Sequence, residues 1–181
     1  MNDINHRAGL IHVLQMAYSG EKAAGLAYNA HWKSLKSPQL QQSIRRIEQE
    51  EWDHRQIVGA MLKEINAHPQ RWREWMMTAI GTTVGFSCYL IGRFLPMYFA
   101  GRLEHGNVKE YDLAADHAEG MGLDEFAAEL RRLSLVELQH EQFFLSAISG
   151  HALVPYMHKL FGWGLGSLDQ IFIPNRSSTS T

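Results

Sequence analysis

Two short segments of the chain pair a glutamate with a histidine three residues later. They are Glu51 with His54 and Glu137 with His140. On an α-helix, residues three apart lie on the same face, so the carboxylate and the imidazole of each pair can bind one metal ion. A motif this short also arises by chance, so it indicates a metal site only where other residues support it.

Two further glutamates supply that support through their spacing. Glu21 lies 30 residues before Glu51, and Glu104 lies 33 residues before Glu137. The midpoints of both intervals fall in segments expected to be turns, near residues 36 and 120. In an antiparallel helical hairpin, residues equidistant from the turn lie at the same height, here about 22–25 Å from it at ~1.5 Å per residue. We therefore expect each hairpin to bring its acids to one matched level.

Hydrophobic periodicity predicts the helices that must hold these residues. Ser37 followed by Pro38 is typical of a helix start, and Asp124 can cap another helix. Two helical hairpins joined by a long crossover with its own apolar helix are typical of ferritin-like four-helix bundles, here with a short C-terminal helix added. We expect an all-α single domain over 1–165 and an extension, 166–181, that is flexible at its end. The predicted helices are 8–35, 38–66, 71–92, 94–118, 125–149 and 153–163.

The four glutamates all occupy the apolar faces of their predicted helices. Buried carboxylates are costly unless they are paired or bound to metal, and four at one level repel one another. Two divalent cations remove that repulsion, whereas a metal-free polar network leaves like charges unpaired. Oxygen-rich ligands with two imidazoles suit iron, or manganese, better than structural zinc. The predicted ligands of two iron ions are Glu21, Glu51, His54, Glu104, Glu137 and His140.

Other polar side chains near these positions are assigned by helical face. Tyr111 lies two turns after Glu104 on the same face, either as a core tyrosine or as a functional group near the metals. In the second case it can hydrogen-bond a ligand or pass an electron and a proton. The acids Glu48, Glu50 and Glu141 are expected at the surface. The histidines expected at the surface or behind the ligands are His12, His31, His105 and His117.

Composition excludes several classes of protein. A formal net charge of −2 gives no reason to expect a nucleic-acid partner. The single cysteine, Cys88, excludes an intrachain disulfide and a thiolate metal site, and it indicates a reducing compartment. The first residues lack the basic and apolar segments of a secretory signal, so a cytoplasmic location is expected.

One segment, 75–92, contains no charged residue. Its length reaches that of a membrane-spanning helix, but its threonines and glycines weaken that interpretation. A helix buried against the bundle is one alternative. Another is an apolar surface that contacts a membrane or a second copy of the chain and admits a lipid-like substrate. The sequence therefore allows two arrangements, a peripheral location on the inner face of a membrane and the formation of a homodimer.

The spacing of these residues resembles that of the demethoxyubiquinone hydroxylases. The resemblance covers roughly 18–144 and rests on Glu21, on Glu51-x-x-His54, on Glu104 with Tyr111 seven residues later, and on Glu137-x-x-His140. It implies an oxygen-activating di-iron enzyme with those six ligands, in which Glu51 and Glu137 bridge the metals and Tyr111 lies near the site. The sequence departs from the family at Glu110, where a histidine is usual.

The ligand set favours a di-iron oxidoreductase that uses O2 and acts on a small apolar, lipid-like substrate, and the resemblance implies a monooxygenase whose substrate is a quinone. The chain lacks a Gly-rich dinucleotide-binding fingerprint, so electrons must come from an external donor. Two alternatives use the same ligands. One is a ferroxidase or iron-binding protein of the ferritin type, and the other is a peroxide-reducing protein of the rubrerythrin type.

Overall fold

The computed structural model describes residues 2–165, and this part of the chain forms six α-helices and no strand. The all-α fold and the ferritin-like bundle are confirmed. The extension predicted for 166–181 lies outside the described residues. The helices are α1 (Asn2–Ser34), α2 (Pro38–Glu64), α3 (Arg71–Ser87), α4 (Phe94–Glu119), α5 (Asp124–Ile148) and α6 (Val154–Phe161).

The helices pack as two hairpins and an outlying crossover helix. α1 pairs with α2, and α4 pairs with α5. The bundle closes because α1 also contacts α4 and α2 contacts α5. α3 lies on the outside of the bundle, against α1. The crossover therefore adds a fifth long helix to one side of the bundle.

Local sequence explains where two of the helices begin. The Ser37 side chain accepts a hydrogen bond from the backbone N–H of Leu40, with Pro38 in the first turn, as predicted. The prediction that Asp124 caps α5 is wrong, because Asp124 is the first residue of that helix and no side chain caps it. An acid in the first turn still interacts favourably with the helix dipole.

Two helix bounds differ from the prediction by more than two residues. α1 begins at Asn2 rather than at residue 8. α3 ends at Ser87 rather than at residue 92, because the chain turns there: Leu90 N–H donates to the Ser87 carbonyl (2.9 Å), and Gly92 has a φ of +73°. Within residues 2–165, no helix is long and apolar enough to cross a membrane.

The bundle core consists of two separate apolar clusters, one towards each end. The first contains Leu14, Leu62 and Leu130, contributed by α1, α2 and α5. The second contains Ile47 and Phe144, together with residues of α1, α4 and the segment after α6. The predicted acids lie on these helices between the two clusters. Apolar packing at both ends therefore fixes the helices that hold the polar middle.

α3 reaches α1 through glycines and leaves its other side exposed. A Cβ at Gly81 would lie 2.5 Å from the carbonyl oxygen of Ala23, so the two backbones touch there. The opposite face carries large apolar side chains, including Trp75 (77% exposed) and Phe86 (64% exposed). In the turn that follows α3, Leu90 is 71% exposed. The interpretation of 75–92 as a helix buried on all sides is therefore wrong, and this segment has an exposed apolar surface.

The close contact at Gly81 predicts an unusual response to alanine. Alanine normally stabilises a helix relative to glycine by roughly 0.5–1 kcal/mol. At Gly81, the new methyl group must push α3 away from Ala23, so Gly81→Ala should lower the free energy of unfolding by about 1–3 kcal/mol. Urea unfolding followed by circular dichroism measures this change.

Gly106→Ala in α4 is the matched control, because a Cβ there meets open space. It should raise the free energy of unfolding by about 0.5–1 kcal/mol. An equal gain in both variants would contradict the backbone contact between α3 and α1.

Candidate metal centre

Six acidic and imidazole side chains converge in the polar middle of the bundle, each at most 3% exposed. α1 and α4 each contribute one glutamate, whereas α2 and α5 each contribute a glutamate and a histidine one helical turn apart. The structure thus brings together all six residues predicted as ligands. They are Glu21, Glu51, His54, Glu104, Glu137 and His140.

These side chains form two overlapping groups. In the first, one donor atom each from Glu21, Glu51, His54 and Glu137 lies within 4.8 Å of the others. In the second group, Glu51 and Glu137 are joined by Glu104 and His140 within the same distance. Each group could hold one cation. Because Glu51 and Glu137 belong to both, the arrangement offers two adjacent cation positions with two shared carboxylates.

Several donor atoms of this cluster lack hydrogen-bond partners among the described residues. Both oxygens of Glu51 and of Glu137 accept no hydrogen bond, and Nδ1 of His54 and of His140 donates none. Instead these atoms crowd together, with His54 Nδ1 2.7 Å from Glu137 Oε1 and His140 Nδ1 3.3 Å from Glu51 Oε1. Buried polar atoms are normally satisfied. Orphaned oxygen and nitrogen donors aimed at each other fit a pair of metal ions.

Burial and mutual repulsion shift the pKa values of the glutamates. Burial, reinforced by the charge of Glu137, raises the pKa of Glu51 and of Glu104 well above the ordinary value, and burial also raises the pKa of Glu21. Burial opposes ionisation of Glu137 as well, but the imidazoles of His140 and His54 outweigh it and lower its pKa.

His140 shifts in the opposite direction from a lone buried histidine. Burial alone would lower its pKa, but the nearby carboxylates of Glu137 and Glu50 raise it to about 10. Without metal, the cluster therefore keeps protons that an exposed set of the same residues would lose. Divalent cations would replace those protons, since carboxylate and imidazole ligands must be deprotonated to bind.

Two tyrosines each bind the glutamate of the neighbouring hairpin. The Tyr28 hydroxyl donates to Glu104, and the Tyr111 hydroxyl donates to Glu21. Burial raises the pKa of both phenols well above the ordinary value, so both remain O–H donors at neutral pH. Asn107 donates to the second oxygen of Glu104 (3.0 Å). Tyr111 thus lies beside the cluster, and its catalytic role stays a prediction.

The sequence did not lead us to predict that Tyr28 contacts the cluster, although its spacing from Glu21 was a signal. Tyr28 follows Glu21 by seven residues, the same interval that separates Tyr111 from Glu104. The repeated interval brings one tyrosine of each hairpin to the acid of the other.

Glu50 was expected at the surface, where its side chain is 33% exposed, but its carboxylate also contacts the cluster. His140 Nε2 lies 2.9 Å from Glu50 Oε2, and this contact lowers the pKa of Glu50. Arg46 lies 3.6 Å from the other oxygen of Glu50. The outer nitrogen of His140 is thereby fixed, which leaves Nδ1 directed into the cluster. Carboxylates in this position orient metal-binding histidines.

Glu141 was also expected at the surface but is buried. The indole N–H of Trp163, in the segment after α6, donates to Glu141 Oε1 (2.8 Å), and His105 Nδ1 lies 3.0 Å from the same oxygen. No local pattern could reveal this, because Trp163 is distant in sequence. Glu48 is half-buried rather than exposed, and accepts hydrogen bonds from Asn29 (2.8 Å) and from Trp32.

The four histidines that were predicted at the surface or behind the ligands differ in exposure. His12 is exposed. His117 is half-buried beside His6, and the Nδ1 atoms of His117 and His6 lie 3.3 Å apart. His105 is partly exposed where it meets Glu141. His31 is buried and does not lie at the surface. None of these residues belongs to the two groups above.

An apolar cavity of about 300 Å³ lies beside the cluster, between α1, α3 and α4. Tyr28 forms part of its wall and joins it to the cluster through the hydrogen bond to Glu104. Small side chains such as Ala24 and Ala27 leave room on the α1 side, and Ile80 and Leu103 border it from α3 and α4. The arrangement can therefore hold an apolar molecule against the outside of the candidate metal centre.

The pKa shifts predict how pH affects metal-free protein. Glu21, Glu51 and Glu104 have raised folded-state pKa values, so above pH 4.5 the folded state holds protons that the unfolded chain has released. The same holds above pH 6.5 for His140, whose folded-state pKa is about 10. Stability should therefore fall as the pH rises from about 5 to about 9, by about 1.4 kcal/mol per pH unit for each such proton. The lowered pKa of Glu137 acts only below pH 4.5.

Urea unfolding of chelator-treated protein at a series of pH values measures this dependence. Glu104→Gln should make the decline shallower, because it removes one proton-binding group. Glu64→Gln, at the exposed end of α2, should leave it unchanged. Stability that stays level or increases across this range would contradict the assignment.

Comparison with known families agrees with this geometry. No curated protein and no solved structure matches the chain. The profile of a protein family described as ubiquinone biosynthesis protein COQ7 matches residues 9–165, which is most of the chain and contains all six residues of the cluster. That family comprises hydroxylases of ubiquinone biosynthesis. The chain belongs to the COQ7 family of ubiquinone biosynthesis proteins.

Proposed function

We propose that this protein is a di-iron monooxygenase that hydroxylates the ring of a quinone, within a single domain spanning 1–165. The observation that carries the proposal is the junction at Tyr28, which lines an apolar cavity and hydrogen-bonds Glu104 of the two-cation cluster. One atom of O2 would enter a ring carbon–hydrogen bond. The other would leave as water, with two protons and two electrons from an external donor.

The six side chains divide naturally between two iron ions. Glu21 and His54 would serve one ion, Glu104 and His140 the other, and Glu51 and Glu137 would bridge them. This oxygen-rich donor set also accepts manganese. When bound, the iron pair supplies the activation of O2 that ring hydroxylation needs.

The protein's own groups fix the geometry and the protons around that centre. Glu50 orients His140 from outside, while Tyr28 and Tyr111 hold the carboxylates of Glu104 and Glu21 by donated hydrogen bonds. The apolar wall of the cavity excludes water from the side on which the substrate would lie. Low local polarity strengthens every electrostatic interaction inside the centre.

The cavity and its surroundings favour a lipid-like substrate over iron storage or peroxide reduction. Neither alternative needs an apolar space beside the centre. The exposed apolar face of α3, with Trp75 and Phe86, lies on the helix that also borders the cavity. Tyr156 and Leu160 on α6 are exposed as well. We infer that this surface rests on the inner face of a membrane, from which an apolar quinone enters.

The ligand assignment predicts the effect of removing a bridging carboxylate. Glu51→Ala or Glu137→Ala should reduce bound iron from about two ions per chain to fewer than one, since each removes a ligand from both positions. Iron analysis by mass spectrometry measures the loss, and circular dichroism checks that the helices persist. Glu64→Gln should retain full iron. Unchanged iron in both bridging variants would refute the assignment.

The proposed reaction can be tested directly with iron-loaded protein. Reductant, isotopically labelled O2 and a short-chain demethoxyubiquinone should yield a quinone that has gained one labelled oxygen atom. Ala27→Phe, which fills the cavity, should lower kcat/KM about tenfold or more with iron unchanged. Leu135→Phe, at an exposed position on α5, should not.

Two outcomes would decide against this reaction. Oxidation of added ferrous iron with retention of many ions per chain, and no hydroxylated product, would favour iron storage. Peroxide turnover without consumption of O2 would favour a peroxidase.

A further inference from the structure

His31 is a buried imidazole that the metal cluster does not use. It lies on α1 one helical turn after Tyr28, is only 2% exposed, and lines the apolar cavity. Its Nε2 atom is buried and has no hydrogen-bond partner within the described residues. It is ten residues from Glu21, the cluster residue on the same helix.

The other ionisable side chains of the cavity wall are already engaged. The Tyr28 hydroxyl donates to Glu104, and Cys88 Sγ lies 3.4 Å from the Val84 carbonyl oxygen. The rest of the wall consists of alanine, glycine, proline and larger apolar residues. His31 thus presents the unsatisfied polar atom of an otherwise apolar space.

An unpaired buried nitrogen is unfavourable, and nothing in the packing of the described residues compensates for it. The electrostatics also leave the ring uncharged. Burial lowers the pKa of His31 to about 4 and raises the pKa of the Cys88 thiol in the same cavity wall, so neither group is charged at neutral pH. A neutral imidazole can either donate or accept one hydrogen bond at Nε2. It therefore suits a carbonyl or hydroxyl oxygen rather than an anion.

We propose that His31 binds a ring oxygen of the substrate and positions the ring against Glu104. Residues three apart on α1 share a face and differ in height by about 4.5 Å, which is less than the width of a substituted quinone ring. A ring oxygen held at His31 would place the opposite ring edge beside Tyr28. This role deepens the proposed quinone hydroxylation and rests on it.

The test compares two probes that differ in their ring oxygens. Tetramethylbenzoquinone has no free ring position for attack by Cys88, and tetramethylbenzene has nearly the same shape without oxygen. Equilibrium dialysis against iron-loaded protein gives both dissociation constants. Wild type should bind the quinone more tightly. His31→Leu should weaken quinone binding about tenfold, the equivalent of one hydrogen bond, and should leave tetramethylbenzene binding equal or tighter.

Three further variants separate hydrogen bonding from shape and folding. His31→Gln, whose amide reaches the position of Nε2, should keep most of the quinone preference, whereas the shorter His31→Asn should lose it. Met77→Leu changes the cavity wall with little change in volume, so it should affect both probes equally. Iron content and the thermal midpoint of His31→Leu should match or exceed wild type.

The outcomes distinguish this inference from the proposed function. If wild type prefers the quinone and both His31→Leu and His31→Asn keep that preference, His31 does not bind the ring oxygen, and the hydroxylase proposal stands. If wild type binds neither probe, the cavity does not take quinones, and both proposals fail.

Discussion

The burial of four glutamates at one level of a helical bundle is the constraint on which the rest of the structure depends. With no water to solvate them, their charges must be met by protons, imidazoles or metal ions. The two apolar clusters above and below fix the helices strongly enough to hold these charges together. Tyr28 and Tyr111 then satisfy the carboxylate oxygens that face α1 and α4. The orphaned donors that remain point inwards, which is where cations are needed.

Much of this centre could be predicted from sequence because it depends on two regular quantities, helical rise and hairpin symmetry. The chain turns near residues 36 and 120, and each turn lies midway between two glutamates. Glu21 and Glu51 therefore lie at the same height in the first hairpin, and Glu104 and Glu137 lie at the same height in the second. The same regularity contained Tyr28, since the interval from glutamate to tyrosine occurs once in each hairpin. The signal was missed because a tyrosine on an apolar face is also an ordinary core residue.

The features that could not be predicted depend on contacts between distant segments. Trp163 returns to Glu141 only after α6 has reversed the chain, and Glu50 reaches His140 across the bundle from another helix. Helical periodicity assigns such residues to a face, but a face becomes buried only when a second element covers it. The same reasoning applies in reverse to α3. Its apolar character suggested burial, yet its glycines bring it against α1 along one side and leave Trp75 exposed on the other.

The bundle divides its tasks between its two sides. α2 and α5, which contact each other, carry both histidines, and Glu50 on that side orients His140 from behind. α1 and α4, which also contact each other, carry the tyrosines and one glutamate each, and the cavity opens over them beneath α3. On the first side a carboxylate thus holds His140 from behind, whereas on the second side hydroxyl and amide donors hold the carboxylates of Glu21 and Glu104. Neutral hydroxyl and amide donors hold a carboxylate by hydrogen bonds without adding charge, so the side that would admit the proposed substrate is also the side on which the carboxylates can change their contacts.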